Sequence, residues 1–147
     1  MTIFLTACMG SPGAVPSLAD LEIGISPPQP SQLPAIPIGR STFRPSDPAA
    51  VNLAAGKVQF VEFFAYWCTV CKAMAPSVHG LESLYQDQVN FIYLDRDDDA
   101  TRAYQDQLGY IYQPHFFLLD AQGIVLGEWR GFVEVEVLQQ AIVAALP

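Results

Sequence analysis

Cys68 and Cys71 stand two residues apart in Trp67-Cys68-Thr69-Val70-Cys71-Lys72. A thiol pair at this spacing can carry out disulfide exchange, in which one thiolate attacks and the second resolves the mixed disulfide. The apolar run Val58 to Phe64 precedes the pair, so the pattern predicts a strand that hands over to a helix at Cys68. A cysteine at a helix start meets the positive end of the helix dipole and unpaired backbone N–H groups, and both favour the thiolate. Cys71 lies one turn further on, close enough to close a disulfide back to Cys68. A zinc half-site or a permanent structural disulfide would use the same two residues. Zinc normally takes four ligands, and the other candidates are Cys8, His79 and His115.

Glu62 lies inside the same apolar run, six residues before Cys68. A strand of this composition is expected to be buried on both faces, and burial raises a carboxyl's pKa. The alternative is a glutamate on an exposed strand edge. Lys72 either lowers the thiol pKa by its charge or is a solvated helix residue. Asp95, Asp97 and Asp99 have the spacing of the first calcium-loop ligands, but Ala100 and Asp106 stand where glycine and glutamate are required. An acidic, helix-capping turn is the reading adopted. His79 reads as an exposed helix residue.

The chain has 147 residues, 51% hydrophobic and 15% charged, enough for one domain with a real core. Its net charge of -8 argues against nucleic acid as a partner and against a polybasic membrane anchor. No apolar run approaches the roughly 18 residues that cross a bilayer. Three cysteines are too few for a disulfide-stapled scaffold, and pairing Cys68 with Cys71 leaves Cys8 over.

Residues 1–40 differ in kind. They hold seven of the 12 prolines, and their only charges are Asp20, Glu22 and Arg40. The stretch reads as an extended, disordered, polyproline-like tether, with the folded domain over 41–147. Leu5-Thr6-Ala7-Cys8 resembles the bacterial lipobox, which makes Cys8 a candidate for lipid attachment. Only Met1 to Phe4 precede it, so a basic and apolar leader is expected upstream of Met1. A stray cysteine in a tail is the alternative. A proline-rich tether behind a lipidated cysteine would hold a domain off a membrane.

The elements that position the dithiol follow from periodicity and turn chemistry. Asp47-Pro48 opens a two-turn helix that Gly56 stops. A strand over 58–64 leads into a long helix over 68–87, kinked at Pro76. A second strand spans 89–95, and a helix capped by Asp98 or Asp99 runs to Leu108, with Gly109 as its stop. A third strand spans 115–120, and Ala121-Gln122-Gly123 turns the chain into a fourth over 124–130. A terminal helix covers 133–146. The first two strands should be parallel and the last two a hairpin, giving an α/β fold with a central mixed sheet of about four strands flanked by helices.

The segment Phe63 to Pro76, with its two cysteines and the proline five residues later, resembles the active-site strand and helix of the thioredoxin superfamily. Pro114 falls where that family has its cis-proline. Gly123 and Gly131 fall at its hairpin-turn and post-strand glycines. The resemblance covers about residues 47–147 and implies the thioredoxin fold. Within the superfamily, Tyr66-Trp67-Cys68-Thr69-Val70-Cys71 and Pro114-His115-Phe116 are similar to membrane-tethered, extracytoplasmic reductants. These are the thylakoid and cyanobacterial type and the C-terminal domain of the bacterial transmembrane disulfide reductase. Three positions depart from the common pattern. Thr69-Val70 replaces Gly-Pro, Glu62 replaces aspartate, and Tyr93 stands where a lysine is often found.

The resemblance implies that Cys68 attacks, Cys71 resolves, Glu62 moves a proton toward Cys71 and Pro114 helps to bind a peptide substrate as an added strand. Trp67, Gln113 and His115 would flank the substrate. His115 could also tune the thiolate, join the cysteines on a metal or simply pack in its strand. The expectation is a thiol–disulfide oxidoreductase reducing extracytoplasmic client proteins, in periplasm or at the cell surface, with an apocytochrome c as one possible client. It would be a lipid-anchored monomer fed by a membrane dithiol donor, with no cofactor and no resident metal. The alternatives are a disulfide oxidase or isomerase, or a copper-delivery chaperone using the same dithiol.

Overall fold

The computed structural model describes residues 32–147; Cys8 and most of the proline-rich segment lie outside the described residues. The apolar run forms β1 (Val58–Phe64), buried along its whole length. β2 (Val89–Asp95) pairs with it in parallel, β3 (His115–Leu119) pairs on its other side antiparallel, and β4 (Val125–Arg130) closes the hairpin with β3. The order β2-β1-β3-β4 puts β1 and β3 inside the sheet. This is the expected mixed sheet, with its parallel pair and its hairpin.

Strand alternation sorts the core into two layers. Val58, Phe60 and Phe64 face α1 (Thr69–Tyr85) and α3 (Val135–Ala145), together with Cys71, Met74, Val78, Leu81, Leu138 and Ile142. Val61 and Phe63 face the other way, with Leu53, Ile92, Leu94 and Phe117 beside α2 (Arg102–Leu108). Cover on both faces explains why apolar residues fall on both sides of β1 rather than alternating with polar ones.

The helix expected over 47–56 is a single 3-10 turn, Pro48–Ala50. It starts where expected, with Asp47 accepting the Ala49 N–H. Its continuation fails because the groups a helix needs are used elsewhere. The Tyr104 hydroxyl donates to the Pro48 and Val51 carbonyls, Asn52 accepts the Ala54 N–H, and Leu53 is drawn into the core. Asp98 caps a 3-10 turn that leads into α2, and Gly109 ends that helix in the left-handed region at φ 71°.

Of the 1–40 stretch, the described part is seated on the domain. The Gly39 N–H donates to the Pro76 carbonyl at 2.8 Å, Gln139 Nε2 donates to the Pro34 carbonyl, and Arg40 pairs with Glu82 at 2.8 Å. A tether boundary at residue 41 therefore falls inside a packed segment. Ser46 continues it along the outer edge of β2, donating its N–H to the Tyr93 carbonyl and accepting the Tyr93 N–H on its hydroxyl.

Candidate functional site

Cys68 is the N-cap of α1, and its sulfur accepts the Cys71 N–H at 3.1 Å. The sulfur thus sits where unpaired helix donors converge. Cys68 and Cys71 are joined as a disulfide, with Cα atoms 5.3 Å apart. Cys68 is 6% exposed and Cys71 is fully buried. Trp67, 61% exposed, is held by its Nε1, which donates to Asp97 Oδ2 at 2.6 Å. Asp97 thereby has a task that calcium-loop spacing did not suggest. Asp95 and Asp98 accept backbone N–H groups in the same turn. Lys72 is exposed on α1.

Glu62 is completely buried, and alternation puts it on the same sheet face as Phe60, Phe64 and the Cys71 side of α1. It is in register with Tyr93 on β2 and Phe116 on β3. Neither carboxylate oxygen has a hydrogen-bond partner, and burial pushes the pKa up to about 8. The exposed-edge alternative for Glu62 is excluded. Tyr93 donates its hydroxyl to Glu82 Oε2 at 3.2 Å. Burial first, then the carboxylates of Glu82 and Glu62, push its phenol far above the ordinary tyrosine range.

The Gln113–Pro114 peptide is cis. His115 pairs with Phe63, so Pro114 lies at the end of the sheet from which β1 enters the Cys68 loop. The Pro114 carbonyl accepts the Gly131 N–H at 2.8 Å. Three exposed apolar segments meet this end: Tyr66, Trp67 and Val70 around the dithiol, Ile111 and Tyr112 leading into Pro114, and Phe132 after Gly131. Gln113 is half-buried and accepts the Tyr110 hydroxyl.

His115, expected beside a substrate, is enclosed within the sheet instead. Its side chain is fully buried against Phe117 on the α2 face, opposite Glu62. Nε2 donates to Glu128 Oε1 at 2.9 Å, and Nδ1 accepts the Ile111 N–H, which fixes the neutral Nε2–H tautomer. Desolvation lowers its pKa, and the Glu128 hydrogen bond works against that. Both nitrogens are committed, so of its three open roles the packed strand residue is the one observed.

His79 is likewise buried rather than exposed. Its Nδ1 donates to the Arg40 carbonyl at 2.6 Å, and its ring lies between those of Phe43 and Tyr93. Burial lowers its pKa. The covering segment is some forty residues away in sequence, which is why helix periodicity misplaced it. Gly80, an unfavourable residue in mid-helix, was the available signal of a close approach.

The Thioredoxin family model matches residues 49–144. The thioredoxin-like protein HCF164 of Arabidopsis thaliana chloroplasts is 42% identical over 71 residues, covering 48% of this chain and 27% of that protein. The thiol:disulfide interchange protein TxlA homolog of Synechocystis is 38% identical over 99 residues, covering 66% of this chain and 54% of that protein. The chain thus spans between about a quarter and about half the length of these curated relatives. The crystal structure of thioredoxin NaTrxh from Nicotiana alata superposes with a TM-score of 0.56 at 27% identity, over 65% of this chain and 78% of that one. With a disulfide at the N-terminus of α1, a buried acid on the strand before it and a cis-proline at the same end of the sheet, this chain belongs to the thioredoxin family.

Proposed function

We propose that the chain is a protein-disulfide reductase working on extracytoplasmic clients. The observation that carries the reading is the asymmetry of the dithiol: Cys68 caps the helix and keeps 6% exposure, while Cys71 keeps none and lies on the Glu62 side. In the reduced protein the Cys68 thiolate attacks one client sulfur. A Cys68–client bond forms, the client S–S bond breaks and one client thiolate leaves. Cys71 gives its proton to the Glu62 carboxylate, directly or through water, and its thiolate attacks Cys68. The Cys68–Cys71 bond forms, the mixed disulfide breaks and the second client thiolate leaves; both take protons from solvent. Two electrons pass from dithiol to client, and a membrane dithiol donor restores them by the reverse exchange. A group with a pKa near 8 lies close enough to working pH both to accept and to return a proton.

The apolar rim from Tyr66 to Phe132 suits an extended client segment, with Pro114 as the backbone beside which it would lie. Trp67 and Gln113 are retained as flanking residues, whereas buried His115 is not. Membrane attachment through Cys8 is consistent with an N-terminal segment entering the domain beside α1. Among the described residues no helix is long and apolar enough to cross a membrane.

The test is trapping. Cys71→Ser should accumulate mixed disulfides with clients, and Cys68→Ser should accumulate none. A reduction potential below about -200 mV supports the reductant, whereas one near -120 mV (the range of about that size known for strong oxidants) points to an oxidase. Stoichiometric copper binding by the reduced chain, abolished in Cys68→Ser together with a failure to reduce insulin, would replace the reading with metal delivery.

A further inference from the structure

The loop Ala65-Tyr66-Trp67 between β1 and Cys68 is held from two sides. Asp97 holds Trp67. On the other side is Phe43, whose ring stacks on Phe64 at 4.2 Å between centroids and 10° between planes. Tyr66 meets both rings edge-on, at 6.4 Å from Phe43 and 5.2 Å from Phe64. Phe43 belongs to no helix or strand, so its place depends on the segment that carries it.

That segment grips α1 closely. A Cβ on Gly80 would lie 2.0 Å from the Pro37 carbonyl oxygen, and a Cβ on Gly39 would lie 2.4 Å from the His79 carbonyl carbon. Two glycines thus allow backbone to lie flush on backbone. The Gly39 N–H reaches the Pro76 carbonyl, the Arg40 carbonyl accepts from His79, and the Arg40 guanidinium pairs with Glu82. The strap's own residues in these contacts all lie before residue 49, where the family match begins.

We infer that residues 34–46 form a strap that belongs to the catalytic unit, and that Phe43 on it is a positioning residue for the loop carrying Cys68. Phe43 acts through its ring contacts. It fixes Phe64 and Tyr66, and through them the approach of the chain to the Cys68 sulfur. Nucleophilic attack requires the sulfur in line with the client disulfide, and small displacements of such a group are costly in rate. The inference rests on the exchange chemistry proposed above, but not on the client or on the direction of electron flow.

The experiment uses the full chain, reduced, with two readouts: the rate constant for alkylation of Cys68 by iodoacetamide across pH, and the single-turnover rate constant for reducing insulin. Phe43→Ala is expected to slow insulin reduction about tenfold and to alter the alkylation–pH profile. Phe43→Tyr, which keeps the stacked ring, should restore both. Gly80→Ala, which lifts the strap without touching the loop, should reproduce the Phe43→Ala effect. Ile38→Ala, at an exposed strap position, should change nothing. Lower melting temperatures with unchanged profiles and rates would overturn the proposal. If Phe43→Ala does not fold, Phe43→Leu takes its place under the same criteria. A wild-type chain that reduced no disulfide would sink the functional reading, while the alkylation profiles would still decide this one.

Discussion

Glu62 faces Tyr93 in register across β1 and β2, yet the Tyr93 hydroxyl donates to Glu82, leaving both Glu62 oxygens unpartnered. A buried carboxyl in that position is neutral over much of the pH range. Its folded pKa of about 8 lies above the ordinary 4.5. Between those values the folded chain holds a proton that the unfolded chain has released. Stability is therefore greatest below about pH 4.5, as far as this group is concerned, and falls as pH rises to about 8. The full loss is on the order of 5 kcal/mol. Glu62→Leu should flatten that slope and give a protein more stable than wild type at pH 9, measured by urea unfolding across pH.

The same substitution series separates stability from chemistry. Glu62→Gln keeps the shape and removes the titration. Closure of the Cys68–Cys71 bond from a preformed mixed disulfide should slow about tenfold or more. Its pH profile should also lose the inflection near pH 8. Stopped-flow release of a chromophoric thiol reads both. An unchanged profile would remove Glu62 from the proton path.

His115 predicts an opposite acid limit. Its folded pKa is lowered, chiefly by desolvation, so below about pH 6.5 the unfolded chain binds a proton more readily. Stability from this group is lost as pH falls through the ordinary histidine range. Glu128 softens the loss by accepting from Nε2. Glu128→Gln should therefore steepen the decline between pH 7 and pH 5, with little change at pH 8, as read by thermal melts.

Asp97→Ala should release the Trp67 indole. The bond is exposed, so stability should drop by about 1 kcal/mol or less. Fluorescence anisotropy should report a more mobile Trp67, provided Trp129 is first replaced by phenylalanine to leave one reporter. Asp97→Asn, which keeps an acceptor, should restore most of the order.

The dithiol, its helix, the buried strand and the mixed sheet were legible because each is written locally. Val58 to Phe64 is apolar but for Gln59 and Glu62, Gly109 marks a stop, and the turn at Gly123 makes a hairpin. Two of the misplaced readings depend on chain far away, and the third, His115, on which face of β3 it takes. His79 reads as exposed until residues 39–43 are laid over it. His115 reads as a substrate contact until alternation along β3 turns it to the α2 face. The 47–56 helix has a local start and stop, but Asn52 captures the Ala54 N–H and Tyr104, from α2, takes its carbonyls. Thr69 and Val70, which stand in place of Gly-Pro, are visible in sequence, but their effect on the potential is a property of the whole site.

Ser46 has one more consequence. An outer strand with free N–H and C=O groups is a template for pairing with another chain, a route to aggregation. By exchanging two hydrogen bonds with Tyr93, a single residue blunts the middle of β2 against such growth. The opposite edge, β4, carries exposed Val125 and Leu126 but also Glu128 and Arg130, bridged at 3.0 Å. The two margins of the sheet are thus guarded by different means, one by cover and one by charge.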